Sequence, residues 1–73
     1  MSQADRLIAV LADLQPHRSD RLVAQVYGAG CSLARLAARV YDAKRKMESR
    51  WTIRGWKAPE NPKLHYYQIQ EVA

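Results

Sequence analysis

The side chains best placed to do chemistry on another molecule are cations. In CSLARLAARVYDAKRKM, residues 31–47, Arg35, Arg39 and Lys46 recur at helical spacing with one acid, Asp42. At about 100° per residue, a helical wheel gathers Leu33, Leu36, Ala37, Val40, Ala43 and Met47 on one side and sets Arg35, Arg39, Asp42 and Lys46 in a narrow stripe opposite. Guanidinium groups donate in a planar fork that matches the guanine edge and phosphate oxygens. Ser32, Ala34 and Ala38 flank the stripe with small side chains, so the backbone can approach a partner closely while the long side chains reach past. A DNA major groove asks for that shape. Asp42 either accepts from cytosine N4 or orients Arg39 or Arg45. The plainer alternative is a solvated face of an amphipathic helix.

A second set of cations, Arg50, Arg54, Lys57 and Lys63, follows the helical segment and suits phosphate contacts. Trp56 stands among them, after Gly55 and between Arg54 and Lys57. It can cap the core from its rim, stack on a sugar or base, or anchor a protein partner. With 12 Lys and Arg against 7 Asp and Glu, the formal net charge is +5, which favours an anionic partner.

Other chemistries find little support. His17 and His65 lie far apart, neither with a Cys or His at ligand spacing, and Cys31 is the one cysteine. Neither a metal site nor an internal disulfide is expected, and no cofactor is implied. Cys31 sits where a helix N-terminus lowers a thiol pKa, but no His or Asp constellation accompanies it. With no convergent acid, base or nucleophile, the chain is not expected to be an enzyme.

The elements that must position these residues follow from periodicity. Ser2 and Asp5 give a capping signal, and Ala4, Leu7, Ile8, Leu11 and Leu14 fall on one face of a first helix, about residues 3–14, stopped by Pro16. Ser19 can cap a second helix, about 20–27, with Leu22, Val23 and Val26 facing inward, and Gly28-Ala29-Gly30 breaks it. The third helix spans about 32–46. Beyond it, Met47, Ser49, Trp51 and Ile53 alternate with Glu48, Arg50, Thr52 and Arg54 as in a strand; Gly55 to Lys63, with Pro59 and Pro62, reads as a loop; and LHYYQIQE resumes a strand. Trp51, Tyr67 and Ile69 make the inward face of this hairpin, about residues 47–71.

The expectation is one α+β domain over residues 1–73, three helices followed by a two-stranded β-hairpin. A short helix, a glycine turn and a basic helix form a helix-turn-helix, and the hairpin is a wing, so the architecture is a winged helix-turn-helix. From Gln3 to Ile69 the chain also resembles the small winged helix-turn-helix DNA-binding proteins of bacteriophages and prophages. The resemblance is carried by QADRLIAVL, by Arg39, Val40, Asp42, Lys44 and Arg45 at the end of the third helix, by Trp51, and by Tyr66, Tyr67 and Ile69. It implies binding of double-stranded DNA by a regulator of transcription or recombination. The chain departs from the pattern in KRKMESRW, which lacks the glycine those proteins carry before the first wing strand, so the third helix extends a turn or enters the strand directly.

The function expected is sequence-specific duplex DNA binding, the third helix in the major groove and the wing on the backbone. The alternative is a winged-helix protein-interaction module, an inhibitor or adaptor docking on a host protein through Trp56 and the wing arginines. A reader this small contacts few base pairs, so a homodimer or cooperative array is expected, with helix one and the terminal QIQEVA as candidate contacts. The amphipathic N-terminus is unlike a signal peptide and no apolar run approaches the roughly 20 residues of a membrane span, so the expected setting is the bacterial host cytoplasm, away from membrane.

Overall fold

The computed structural model describes residues 2–28 and 33–72. Ala29, Gly30, Cys31 and Ser32, together with the side chain of Leu33, lie outside the described residues. The elements run α1 (Gln3–Leu11), β1 (His17–Arg18), α2 (Ser19–Val26), α3 (Leu33–Lys46), β2 (Trp51–Ala58) and β3 (Asn61–Glu71).

Helix α1 opens on a capping box. Ser2 Oγ accepts from the Asp5 backbone N–H at 3.2 Å and the Asp5 carboxylate accepts from the Ser2 N–H at 3.1 Å, so two of the unpartnered donors of the first turn are satisfied. The helix ends at Leu11, a turn earlier than the periodicity predicts. Asp13 Oδ1 takes the Gln15 N–H at 2.9 Å, a local bond that competes with the helix, and Pro16 disfavours helical backbone at the residue before it. Leu14 is left in the left-handed region at φ 62°, which costs a non-glycine residue about 1–2 kcal/mol, and its side chain is 44% exposed rather than in the core. The Gln68 side-chain amide holds the Leu14 carbonyl at 2.9 Å.

The sheet has three antiparallel strands in the order β1-β3-β2, not the two expected. β1 is only His17 and Arg18, which pair with Tyr67 and Tyr66. Two residues contain no alternation, so nothing in the sequence period announces this strand. Ser19 does not cap α2 but starts it. Its buried hydroxyl accepts the His65 backbone N–H at 3.1 Å, joining the head of α2 to β3. At the other end of α2, Gly28 adopts φ 90° and its N–H reaches the Val23 and Ala24 carbonyls at 3.1 and 3.2 Å.

α3 stops at Lys46 without a glycine, and a tight turn in which the Trp51 N–H meets the Glu48 carbonyl at 3.0 Å opens β2. β2 then runs through Gly55 to Ala58, and only Pro59 and Glu60 separate it from β3, so the loop expected from Gly55 to Lys63 is mostly strand. The ladder becomes irregular only between Lys57 and Ala58, and Pro62 falls beyond that point, where it interrupts no regular pairing. Gly55 is there for packing: a Cβ at this position would stand 2.9 Å from the Tyr67 ring.

The core joins Leu7 and Leu11 of α1, Leu22 and Val26 of α2, Leu36, Val40 and Ala43 of α3, and Ile53 and Ile69 of the sheet. Trp51, Tyr67 and Met47 pack partly buried against it, whereas Ala37 is exposed and takes no part.

Leu36→Ala should cost about 2–5 kcal/mol in urea denaturation, a large share of the stability a chain this short can have. Gly55→Ala should cost about 1–3 kcal/mol through overpacking, and a double-mutant cycle with Tyr67→Ala should show most of that cost as coupling to the ring.

Candidate nucleic-acid interface

The buried side chains fix which way α3 faces. With Leu36, Val40 and Ala43 turned to the core, the angular steps place Arg39 and Lys46 about 60–80° from Leu36, beside the core rather than opposite it. They lie along α1. Lys46 Nζ donates to Ser2 Oγ at 3.0 Å and stands 3.4 Å from Asp5 Oδ1, and Arg39 Nη1 pairs with Asp42 Oδ2 at 3.0 Å. Ser2, Ala4, Arg39, Asp42, Arg45 and Lys46 line one shallow depression between the two helices. Hydrogen bonds from Ser2, with the Lys46 ammonium adding to them, hold the Asp5 carboxyl below its ordinary range. The stripe therefore serves in part to tie α3 to the capped end of α1.

The outward face of α3 is a different set. Ala34, Ala38, Tyr41 and Arg45 fall about 140–200° from Leu36, with Ala37 and Lys44 on one flank and Arg35 on the other. All seven are exposed, and Tyr41, at 63%, is the most exposed large apolar side chain among the described residues. The Arg45 guanidinium lies 5.9 Å from the Tyr41 ring centroid, in cation–π range. The Arg35 carbonyl accepts from Tyr27 Oη at 3.2 Å, which fixes the start of α3 against the end of α2. The sequence analysis does not single out Tyr41 and Arg45 as outward-facing residues, although angles measured from Leu36 place them there. Ser32, predicted to flank the stripe, lies outside the described residues.

The hairpin cations do not form one patch. The register puts Arg54 with Trp56, Tyr66, Gln68 and Arg18 on the sheet face that carries neither Ile53 nor Ile69, while Lys57, paired with His65, is on the other. Arg50 precedes β2 with its guanidinium 5.3 Å from the Trp51 ring centroid, and Lys63 lies at the opposite end of the hairpin, its N–H bonded to Asn61 Oδ1 at 3.1 Å.

Trp56 belongs to a cross-strand row. Its ring stacks on Tyr66 at 6.0 Å between centroids and 25° between planes, and Arg18 follows on β1. The Tyr66 hydroxyl donates to the Glu60 carboxylate, which the Arg18 guanidinium also approaches at 3.5 Å while clasping Asp20 at 2.7 and 2.9 Å. Pro16, Trp56, Pro59, Glu60 and Tyr66 line a shallow depression here, and the indole is 37% exposed. Among the described residues no three His, Cys, Asp or Glu side chains gather as a metal site would require, and no helix is long and apolar enough to cross a membrane.

The hydrogen bond from the Tyr66 hydroxyl holds the Glu60 carboxyl below its ordinary 4.5, and the same bond pushes the Tyr66 hydroxyl above 10.0. The Glu60 contribution to stability is present above pH 4.5 and is lost as pH falls through the lowered value. The Tyr66 contribution is present below pH 10.0 and is lost as pH rises through the raised one. Glu60→Gln should thus flatten both limbs of the stability–pH profile measured by denaturation.

No protein-family model, curated protein or solved structure matches this chain.

Proposed function

We propose that the chain is a winged helix-turn-helix module that binds duplex DNA, with α3 entering the major groove and the β2–β3 hairpin lying as a wing on the backbone. It acts by binding rather than by catalysis, as a phage-type regulator of transcription or recombination. The element order, helix, short strand, two helices and hairpin, with the sheet order β1-β3-β2, supports the module.

The observation that carries this reading is the outward face of α3. Three alanines there surround an exposed tyrosine and an arginine, so the helix backbone can come close to base edges that Tyr41 and Arg45 reach. Arg35 borders the same face, and the net charge of +5 suits a polyanion.

Selection of bound duplexes from a random pool tests the proposal. Arg45→Ala and Arg35→Ala should each reduce preference for the selected site by about 1–3 kcal/mol per lost base contact in competition titrations, whereas Lys46→Ala should leave the preference in place. Replacing Arg54 and Lys57 together should lower the salt slope by about one unit for each phosphate contact removed. If no duplex binds more tightly than about 10⁻⁴ M at physiological salt, the proposal fails.

The docking alternative has one observation in its favour, the exposed Trp56 edge beside Pro16 and Pro59. It requires Trp56→Ala to abolish capture of a host protein while duplex binding stays weak.

A further inference from the structure

Among the described residues, β2 is an edge strand whose one neighbour is β3. The Val72 N–H donates to the Arg50 carbonyl at 2.7 Å, which marks this pair, one step before Trp51 and Glu71, as hydrogen-bonded. Bonded and non-bonded pairs alternate along an antiparallel ladder. Thr52, Arg54 and Trp56 therefore turn their backbone groups to β3, and Ile53, Gly55 and Lys57 turn theirs away from it. Trp51 confirms the phase, because its N–H points off the ladder to the Glu48 carbonyl. An open depression lined by Lys44, Thr52, Ile53, Arg54, Gly55 and Val72 lies against this edge.

The edge is complementary to itself. When two β2 strands run antiparallel about a two-fold axis at Gly55, Gly55 faces its counterpart, and Ile53 of each copy faces Lys57 of the other. All three outward residues are then bonded on both strands, and a register displaced by two residues strands part of the set. In the symmetric register Arg54 stands across from Trp56 of the second copy, on the face where that indole already stacks on Tyr66. Arginine and lysine on an exposed strand normally blunt it against pairing. Here Arg54 meets an indole across the seam, while Lys57 stands at the backbone level of the buried Ile53, on the side where Lys44 borders the edge.

We infer that the partner of β2 is a second copy of this chain, and that the two sheets join through Gly55 into one antiparallel sheet of six strands. Gln68 to Glu71 of the terminal segment pair with β2 on one edge, whereas β1 covers β3 only at Tyr66 and Tyr67, so exchange at the β2 amides is what distinguishes this seam from one through the terminal strand. The association needs no nucleic acid and is measured without it, so it stands or falls apart from the DNA proposal.

Sedimentation equilibrium from micromolar to millimolar chain should show a monomer–dimer equilibrium. Over the same range, hydrogen exchange at the Ile53, Gly55 and Lys57 amides should slow with concentration while Arg54 and Trp56 stay unchanged. Arg54→Glu should weaken the dimer about tenfold, with the fold checked by circular dichroism. A single-chain mass at every concentration overturns the inference, as does exchange independent of concentration. An Arg54→Glu dimer as tight as the wild type overturns the register, and if that variant does not fold, the wild-type exchange pattern decides.

Discussion

The pairing of β3 on both of its edges is the constraint from which the other positions follow. One edge takes β2, joined to it by a two-residue turn, and the other takes His17 and Arg18 from the far end of the chain. Because α2 starts at the next residue, and Ser19 bonds the His65 N–H, the first turn of α2 is fixed by the sheet rather than by a side-chain cap. α3 is set from both ends: Tyr27 holds the Arg35 carbonyl at its start, and Lys46 meets the capping box of α1 at its finish. The orientation of its outward face is thus determined by contacts that lie on neither side of that face.

Much of this was legible in the sequence wherever a period ran long enough to be read. Leu7 and Leu11, Leu22 and Val26, and Leu36 and Val40 repeat at helical spacing and are buried, and Ile53 and Ile69 alternate with polar neighbours and meet across the hairpin. What escaped notice was set by tertiary partners. A two-residue strand has no period, Gly55 resembles a loop glycine until the Tyr67 ring is seen above it, and Ser19 resembles a cap until His65 claims its oxygen. The third helix is the instructive case. Its apolar side is legible at Leu36, Val40 and Ala43, but the 100° step sets Arg39 and Lys46 only about 60–80° from Leu36, so these cations border the core and do not stand opposite it.

Net charge proves a poor guide to where an anion would sit. Arg18, Arg39 and Lys46 each have a carboxylate partner, and those contacts organise the chain itself. Exposed pairs of this kind add little stability individually, but they assign orientation: Arg39 lies back along its own helix toward Asp42, and Lys46 reaches the neighbouring helix. Arg45, with no carboxylate partner among the described residues, lies over an aromatic ring on the outward face.

The bond between Ser19 and His65 spans 46 positions of sequence. Its closure carries a larger entropic cost than the hairpin, whose strands are joined by two residues, and costs of this kind are met before the contacts that reward them. In kinetic terms the hairpin is the natural early structure, and β1 docks onto a strand already straightened by β2. The segment that supplies β1 consequently leaves a ribosome before the strands it pairs with, and its docking waits for the hairpin that follows it.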